Sequence, residues 1–260
     1  MTLGLFGSGR AADARRASLE RLGYAVAWHA DEVMDWDEAP AQRPALDALF
    51  VAGSTADRAF AVRMALRHGV PVLAEWPPAA SHRELDALLA IAEESGVTLA
   101  VARTLSHRPP LDAAPTDARL IAVRRTVAAP RALVAALPDV LDVVMRLTGT
   151  STLRRLNPTV VRDAESRPTA IGLSIRLVGD AHALVTLAQA EASTFTVEAF
   201  GSTSGPFAAS LRPDAAHRND ALDRETVAFL EGLSGPPDPS SASAARALLR
   251  LSERVAARLR

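Results

Sequence analysis

Residues 3–12 read LGLFGSGRAA, and this stretch decides the fold. A short apolar run typical of a buried strand leads into the glycine loop, Gly7-x-Gly9-x-x-Ala12, and then into a helical pattern that ends near Leu22. In a dinucleotide-binding βαβ unit the first glycine permits a tight turn, the second lets a pyrophosphate approach the backbone, and the third small residue packs the helix on the strand. The helix N-terminus adds free N–H groups and a partial positive charge. The cofactor site predicted at this loop consists of Gly7, Ser8, Gly9, Arg10 and Ala11.

Strand and helix patterns alternate through the first half of the chain. Further strands are predicted over residues 24–30, 46–52, 70–74 and 97–102, and helices over residues 56–68 and 81–95. Strands that alternate with helices of about 10–15 residues imply a parallel sheet with right-handed crossovers. We therefore predict an α/β fold in which residues 1–110 form a Rossmann-type, doubly wound parallel sheet. The acidic, proline-containing residues 31–44 are predicted as a loop or a short helix.

The second half has a different pattern, because several strands follow one another without helices between them. A strand is predicted over residues 119–127, a helix over 133–147, four strands over 152–162, 169–178, 181–190 and 193–200, and helices over 219–233 and 242–259. Gly179-Asp180 is a candidate tight turn between two of these strands. This order predicts an α+β domain over residues 111–260 with a large open, mainly antiparallel sheet. The two C-terminal helices are candidates to pack back on the first domain.

Composition excludes several classes of function. The formal net charge is −1, so no global field attracts nucleic acid or acidic lipid, and no apolar run approaches the ~20 residues of a membrane span. There is no Cys, which excludes disulfides and thiolate chemistry. All 29 basic residues are Arg, so Schiff-base and Lys acid–base steps are also excluded. The His residues have no metal-ligand spacing, no signal peptide pattern is present, and a cytoplasmic location is expected.

The ribose of a dinucleotide is usually bound by an acidic residue at the end of the second strand, about 20 residues after the glycine loop. His29, Asp31 and Glu32 lie there, and Asp31 fits best as the acceptor of ribose hydroxyl groups. A solvated acid that opens a loop remains an alternative for Asp31. Arg10 is placed to face an adenosine 2′-phosphate, so the choice between NAD and NADP stays open.

Taken together, the motifs resemble the Gfo/Idh/MocA family of glucose–fructose oxidoreductases and inositol dehydrogenases. The matching segments are GLFGSGRAA, FVAGSTADR, VLAEWPPAASHRELDALLAIAEESGV, VTLAVARTLSHRP, PDVLDVVMRLTG, FTVEAFGSTSG, RETVAFLEGLSG and SASAARALLRLSERVAARL. The resemblance implies a Rossmann domain followed by a domain with a large open sheet, which shapes the substrate site and often stacks against a partner subunit. It also implies an enzyme that uses NAD or NADP to oxidise or reduce a sugar, a polyol or a related small molecule.

The chain departs from the family pattern at the positions that the resemblance assigns to catalysis. The family's Glu-Lys-Pro segment aligns with Glu75-Trp76-Pro77, so Trp76 stands in place of the catalytic Lys. The family's His-x-x-Asp helix motif aligns with residues 139–142, so Asp139 replaces the catalytic His, and Arg58 replaces a further family His. The segment between Pro110 and this helix is also shorter than usual. Because Trp cannot exchange a proton near neutral pH, these departures put ordinary acid–base catalysis in doubt.

The remaining polar residues near the expected cleft complete the set of candidates. Asp139, His107 and Trp76 are the catalytic candidates. The alternative for Asp139 is a helix cap or a paired surface acid, and the alternative for His107 is an exposed loop residue. The alternative for Trp76 is a ring that stacks on a ligand or fills a void. Arg103, suited to clamping a carboxylate or phosphate, and Asp142 are candidates for substrate binding. Ser54 and Glu75 are further candidates for the cofactor site.

Two functions remain open at this point. One is an NAD(P)-dependent oxidoreductase with non-standard catalytic residues, and the other is a catalytically degenerate member that binds a ligand or a partner. A small-molecule ligand is expected in both cases, and a homodimer or higher homo-oligomer is expected through the open sheet. The reason is that residues 169–178 and 181–190 carry apolar side chains on both strand faces, more than one helix layer covers.

Overall fold

The structure is a computed structural model that describes residues 1–31, 45–128, 132–150, 152–201, 203, 205–211, 215–235 and 240–259. These residues form two compact units. The first contains Met1–Thr104 and Leu222–Arg246, and the second contains Leu105–Ala221 and Ala247–Arg260. The loop or short helix predicted over residues 31–44 lies, apart from Asp31, outside the described residues.

The first unit contains a parallel five-stranded sheet. Its strands are β1 (Leu3–Phe6), β2 (Val26–Ala30), β3 (Ala48–Val51), β4 (Val72–Ala74) and β5 (Leu99–Val101). Their order in the sheet is β2-β1-β3-β4-β5, and the neighbouring pairs are parallel. Strands β1, β3 and β4 consist of buried residues throughout, as expected for a parallel sheet with helices on both faces.

In the described part of the chain, three helices connect strands of this sheet: α1 (Arg10–Arg21), α2 (Thr55–Arg67) and α3 (His82–Ser95). The predicted start of α3 is confirmed, because the Ser81 hydroxyl accepts a hydrogen bond from the Glu84 N–H at 3.2 Å. The core of the unit includes Leu3, Leu5, Leu19 and Phe50. It also includes Phe229 from the C-terminal part of the chain, whose ring packs edge-on against Phe50 with 5.5 Å between ring centroids.

The second unit contains a mixed six-stranded sheet. Its strands are β6 (Ala118–Val127), β7 (Leu153–Arg162), β8 (Pro168–Leu177), β9 (His182–Gln189), β10 (Phe195–Gly201) and β11 (Pro206–Ser210). The order is β11-β10-β6-β9-β8-β7, and every neighbouring pair is antiparallel except β6 with β9. Gly179 and Asp180 both have positive φ values, of 83° and 59°, as a tight turn between β8 and β9 requires.

Helices α4 (Ala132–Ala135) and α5 (Leu137–Thr148) lie against this sheet. The single helix predicted over residues 133–147 is therefore wrong in one respect, since the chain breaks it after Ala135. Pro138 explains the break because it has no N–H to continue the helical hydrogen-bond series. Two further helices, α6 (Ala215–Gly232) and α7 (Ser240–Leu259), follow the sheet, and the division between the units falls inside each of them.

Two expectations about the second sheet need correction. Strand β11 was not predicted, since PFAAS starts with Pro and lacks β-branched residues, and its pairing with β10 compensates for that weak propensity. Residues 169–178 are also not apolar on both faces, because the alternate positions of β8 are Gly172, Ser174 and Arg176. The exposed large apolar side chains of the inner strands are instead Leu120, Leu184 and Phe200.

The predicted fold class is confirmed: a Rossmann-type parallel sheet is followed by a mixed, mostly antiparallel open sheet. Among the described residues, no helix combines the length and the apolar character that crossing a membrane requires.

Candidate functional site

The candidate site of the first unit lies at the carboxyl edge of the parallel sheet. The chain runs from β1 to β2 on one side and then to β3 on the other side of β1, so the strand order reverses between β1 and β3. In open α/β sheets, ligands bind outside the carboxyl ends of the strands at such a switch point. Five predicted site residues follow strand ends at this edge: Gly7, Asp31, Ser54, Glu75 and Arg103.

Gly7 makes a close backbone contact that only glycine permits. Its φ is +105°, and a Cβ placed on it would lie 2.7 Å from both the carbonyl carbon and the oxygen of Ala52. The Gly7 N–H donates to the Ala30 carbonyl at 2.8 Å, and the Ala52 N–H donates to the Phe6 carbonyl at 2.8 Å. The first glycine of the loop therefore holds the ends of β1, β2 and β3 together.

The space around Gly9 is open, whereas the space around Gly7 is filled by backbone atoms. The φ of Gly9 is +79°, yet a Cβ placed on it would meet no atom of the described residues within 4 Å. Gly9 is also the N-cap of α1, and no side chain caps this helix end. Ser8, Arg10 and Ala11 are exposed beside it. Open space in front of an uncapped helix N-terminus fits a pyrophosphate, which would accept hydrogen bonds from the first-turn N–H groups.

His29 and Asp31 lie at the end of β2, next to the glycine loop. The Nε2 atom of His29 is 3.1 Å from the Gly7 carbonyl oxygen and 3.0 Å from Asp31 Oδ1. The Asp31 side chain is 57% exposed, so its carboxylate is accessible to a ligand. The imidazole therefore joins the glycine loop to the acid that the sequence singles out for ribose hydroxyl groups.

Ser54 caps the helix that follows β3. Its hydroxyl accepts a hydrogen bond from the Asp57 N–H at 3.3 Å and lies 2.5 Å from Asp57 Oδ2. The residue is exposed at the carboxyl edge, but its hydroxyl is already used in capping α2. Capping is therefore the role of Ser54 that the contacts support directly.

The sequence reasoning missed a buried charge network centred on Arg15. The Arg15 side chain is 2% exposed, and its Nη2 atom lies 2.7 Å from Glu75 Oε1 and 2.8 Å from Glu225 Oε2. Arg15 Nη1 also donates to the Thr226 hydroxyl at 2.8 Å. Burial by itself would lower the pKa of Arg15, but the charges of Glu225 and Glu75 outweigh this effect and raise it. Helix α1 is thus tied to the end of β4 and to α6.

Glu225 extends this network to the end of β5. Its carboxylate accepts hydrogen bonds from the Arg103 N–H and from the Thr104 hydroxyl, the latter at 2.9 Å. Glu75 and Arg103, two of the predicted site residues, are therefore held by one network. The sequence did indicate that Arg15 is buried, because its spacing from Ala12 and Leu19 places all three on one face of α1, and all three are buried.

Arg58 holds the segments that follow β3 and β4. It is 6% exposed, and it donates from Nη2 to the Gly53 carbonyl at 2.6 Å and from Nη1 to the Pro77 carbonyl. Burial lowers the pKa of Arg58, while the charge of Glu75 opposes this shift. Trp76 is half-buried, and both of its neighbours in sequence are held in place: Glu75 binds Arg15, and the Pro77 carbonyl binds Arg58.

Asp139 lies in the second unit and is engaged in an ion pair. Its carboxylate binds the Arg125 guanidinium, which in turn lies over the Phe195 ring at 5.3 Å from the centroid. Asp139 is 44% exposed, near the start of α5. The carboxylate of Asp139 is therefore paired with a cation on β6.

Asp142 and His107 also lie in the second unit. The Asp142 carboxylate is buried and accepts a hydrogen bond from the Ser106 hydroxyl, which is also buried. His107 ends a single 3₁₀ turn, Thr104–His107, and is half-buried there. Asp142 thus fixes this turn to α5, while Asp139, three residues earlier on the same helix, pairs with Arg125. Within the described ranges, no group of three or more His, Asp or Glu side chains is arranged to hold a metal ion.

Residues 8–103 match the Gfo/Idh/MocA family model, which is described as an oxidoreductase family with a NAD-binding Rossmann fold. This match confirms, for those residues, the resemblance drawn from the sequence motifs, and it supports the expectation of NAD or NADP. No curated protein matches the chain.

Solved structures extend the likeness of fold to the whole chain. UDP-N-acetylglucosamine 3-dehydrogenase from Acidithiobacillus ferrooxidans is 17% identical with a TM-score of 0.78, covering 98% of this chain and 96% of its own. A myo-inositol dehydrogenase from Corynebacterium glutamicum is 16% identical with a TM-score of 0.77, covering 99% and 96%. GenD2 from gentamicin A biosynthesis, solved in complex with NAD, is 16% identical with a TM-score of 0.74, covering 100% and 95%. At these identities the likeness is one of fold.

Proposed function

We propose that the chain binds NAD or NADP at the carboxyl edge of the parallel sheet and has an oxidoreductase-like function on a small sugar, polyol or related metabolite. The observation that carries the proposal is Gly9, a positive-φ residue with open space in front of an uncapped helix N-terminus. Such a site binds pyrophosphate through backbone N–H groups and the helix dipole. The match of residues 8–103 to a NAD-binding oxidoreductase family supports the same cofactor.

The cofactor is expected to span the switch point of the sheet. Asp31, at the end of β2, accepts hydrogen bonds from the hydroxyl groups of the adenosine ribose. The glycine loop after β1 holds the pyrophosphate, and Arg10 beside it is placed to meet a 2′-phosphate if the cofactor is NADP. Because β3 and β4 lie on the opposite side of β1 from β2, the nicotinamide half extends toward Ser54 and Trp76. When bound, the nicotinamide accepts or donates the hydride.

The chain's own residues offer limited help with the accompanying proton. Hydride transfer from a carbinol needs a group that takes the hydroxyl proton, and such help is worth roughly 10²–10⁴-fold in rate. Trp76 is only an N–H donor. Asp139 is paired with Arg125, and the buried carboxylate of Asp142 accepts from Ser106. His107 and Arg103 stay the candidates that the sequence offers for acid–base work and for binding an anionic substrate group, respectively.

A second function is favoured by the ion pair of Asp139 with Arg125. A catalytically degenerate protein that binds the dinucleotide or a related ligand without turnover would need no proton acceptor, and its former catalytic positions would be free to take structural roles. The ion pair of Asp139 with Arg125 is a role of that kind.

An assay with a panel of sugars and polyols separates the two functions. Wild-type protein is incubated with each compound and NAD or NADP, and nicotinamide absorbance is followed. Turnover on any compound supports the oxidoreductase. Saturable cofactor binding without turnover on the whole panel supports the degenerate binding protein.

The open sheet of the second unit is the proposed surface for self-association. Leu120 and Phe200 are direct cross-strand neighbours, and Leu184 lies on the adjacent strand two residues after the partner of Leu120. They are 48%, 47% and 56% exposed. Apolar side chains of this size, adjacent and exposed on one sheet, are usually covered by a partner subunit.

A further inference from the structure

Arg58 is a buried cation in an unusual setting. Among the described residues it forms no ion pair at contact distance, and its two Nη atoms bind backbone carbonyls, those of Gly53 and Pro77. Its Nε atom is buried and has no hydrogen-bond partner in the part of the chain that the structure describes. A guanidinium held in this way is costly, and its stability depends on nearby negative charge. Glu75 supplies that charge.

The two carbonyls that Arg58 binds belong to different strand ends. Gly53 follows β3 and packs against the glycine loop, since a Cβ on Gly7 would lie 2.9 Å from the Gly53 nitrogen. Pro77 follows β4 and directly succeeds Trp76. The guanidinium therefore joins the glycine-loop side of the edge to the Trp76–Pro77 segment through planar, paired donors, a geometry that the single ammonium group of a Lys cannot reproduce.

We propose that Arg58 is a positioning residue for the nicotinamide half of the cofactor site: it fixes the Trp76–Pro77 segment against the turn after β3. The inference rests on the proposed function, because it takes the nicotinamide to lie over the ends of β3 and β4. Because Arg58 is only 6% exposed and both of its Nη atoms bind backbone carbonyls, the role proposed for it is indirect. It acts through the indole of Trp76, whose place it holds by binding the next carbonyl along the chain.

Comparing two ligands tests this role. ADP-ribose has the adenosine, pyrophosphate and ribose of NADH but lacks the nicotinamide. Calorimetry measures the affinity of each ligand for wild type and for Arg58→Met, with NADPH and 2′-phospho-ADP-ribose as the pair if wild type prefers NADP. Arg58→Met should weaken NADH binding by roughly tenfold, the size of one net hydrogen bond, because a displaced Trp76–Pro77 segment loses contact with the nicotinamide, and it should leave ADP-ribose binding unchanged. A purely structural role would weaken both ligands alike.

Three further variants make the test complete. Arg63→Met is the matched control, since Arg63 lies on the same helix, is partly exposed and approaches Glu84 only at 3.8 Å; both affinities should be unchanged. Arg58→Lys, which keeps the charge, should lose less NADH affinity than Arg58→Met. If the Met variant fails to fold, Arg58→Lys replaces it in the comparison of the two ligands. In a Trp76→Ala background, Arg58→Met should add no further loss, because the residue that it positions is gone.

The outcomes separate this inference from the proposed function. Wild type that binds NADH and ADP-ribose, with an Arg58→Met variant that weakens both equally or neither, contradicts the positioning role and leaves cofactor binding intact. Wild type that binds neither ligand contradicts the proposed function, and the role of Arg58 falls with it. An additional loss in the Trp76→Ala background shows that Arg58 does not act through the indole.

Discussion

Arg15 and Glu225 are 210 residues apart in sequence and form a buried ion pair, with 2.8 Å between Nη2 and Oε2. The pair joins the helix of the glycine loop to α6, and Glu225 passes the connection to the backbone of Arg103. Charged groups are buried at a cost that only good geometry and further hydrogen bonds offset. Thr226 and Glu75 complete the hydrogen bonds of Arg15, and Thr104 those of Glu225.

Removing one member of this pair should strongly destabilise the fold. Arg15→Met leaves the buried carboxylate of Glu225 and the half-buried carboxylate of Glu75 without their cation, and we expect the free energy of unfolding in urea to fall by about 3–5 kcal/mol. Arg21→Met on the same helix is the control. Its partner is Asp223 and the Arg21 side chain is 39% exposed, so solvent screening should limit its effect to about 1 kcal/mol. Similar losses in the two variants would contradict the account of the network.

The stability of the first unit should depend on Asp223 in acid. Burial alone would raise the pKa of Asp223, but hydrogen bonds from Arg21 and Ser18, with the charges of Arg21 and Arg15, outweigh burial and lower it. A lowered pKa in the folded state gives stability that is present above the ordinary value of 3.8 and is lost as the pH falls through the folded value.

Asp223→Asn should therefore destabilise the protein near neutral pH, and the difference from wild type should shrink as the pH falls below 3.8. Urea denaturation at a series of pH values measures this difference. Ser18→Ala removes one of the three hydrogen bonds that Asp223 accepts, since the other two come from Arg21, and it should reduce the dependence without abolishing it. A difference that stays constant across the acid range would argue against this role of Asp223.

The two glycines of the loop should respond differently to a methyl group. Gly7→Ala places a Cβ 2.7 Å from the Ala52 backbone at a φ of +105°, so we expect a large fall in melting temperature. The Cβ of Gly9→Ala meets no described atom within 4 Å, and the strained backbone at φ +79° and ψ −170° should cost about 1–3 kcal/mol. Thermal unfolding followed by circular dichroism compares them. Equal melting temperatures would mean that Gly7 is not confined as described.

Self-association should depend on Leu184. A charge introduced by Leu184→Glu in the exposed apolar group should raise the dissociation constant of the oligomer, as light scattering over a range of concentrations would show. Val178→Glu is the control, since Val178 is also exposed but lies after the end of β8. Wild type that stays a 27.4 kDa monomer at all concentrations would remove the oligomer from the account.

Ordinary hydride transfer should be slow in wild type, and introducing the Lys and His that the resemblance implies at positions 76 and 139 should increase it. Trp76→Lys with Asp139→His supplies a cation and an imidazole at the two altered positions, which together are worth up to roughly 10²–10⁴-fold. Activity on the sugar and polyol panel gives the comparison. Wild-type turnover above about one per second would show that other groups, such as His107, already perform the chemistry. Loss of that turnover in Trp76→Phe would make Trp76 part of a working site.

The fold was largely predictable because its local signals agree with one another. The glycine loop, the capping Ser81 and the turn at Gly179-Asp180 each depend on a few adjacent residues, and the structure contains all three features. Strand β11 depends instead on pairing with a distant partner, and no local pattern reports such a contact. The break at Pro138 was visible in the sequence but lay within a longer apolar periodicity.

The positions of the candidate site residues after the strand ends were predictable, and their side-chain partners were not. The positions of Gly7, Asp31 and Glu75 follow from the order of strands and loops. The pairing of Glu75 with Arg15 does not, because it arises from helix packing that spacing alone does not specify. Glu225 was missed for the same reason, since its partners lie more than a hundred residues away in sequence.

The central claim is that the glycine loop binds a dinucleotide, and one titration tests it most directly. NADH and NADPH are titrated into wild type and into Gly9→Ala while nicotinamide fluorescence is followed. The account predicts a saturable change in wild type with at least one of the two, and its loss in the folded Gly9→Ala variant, whose methyl group occupies the space in front of the helix. No saturable change in wild type with either cofactor at millimolar concentration would contradict it.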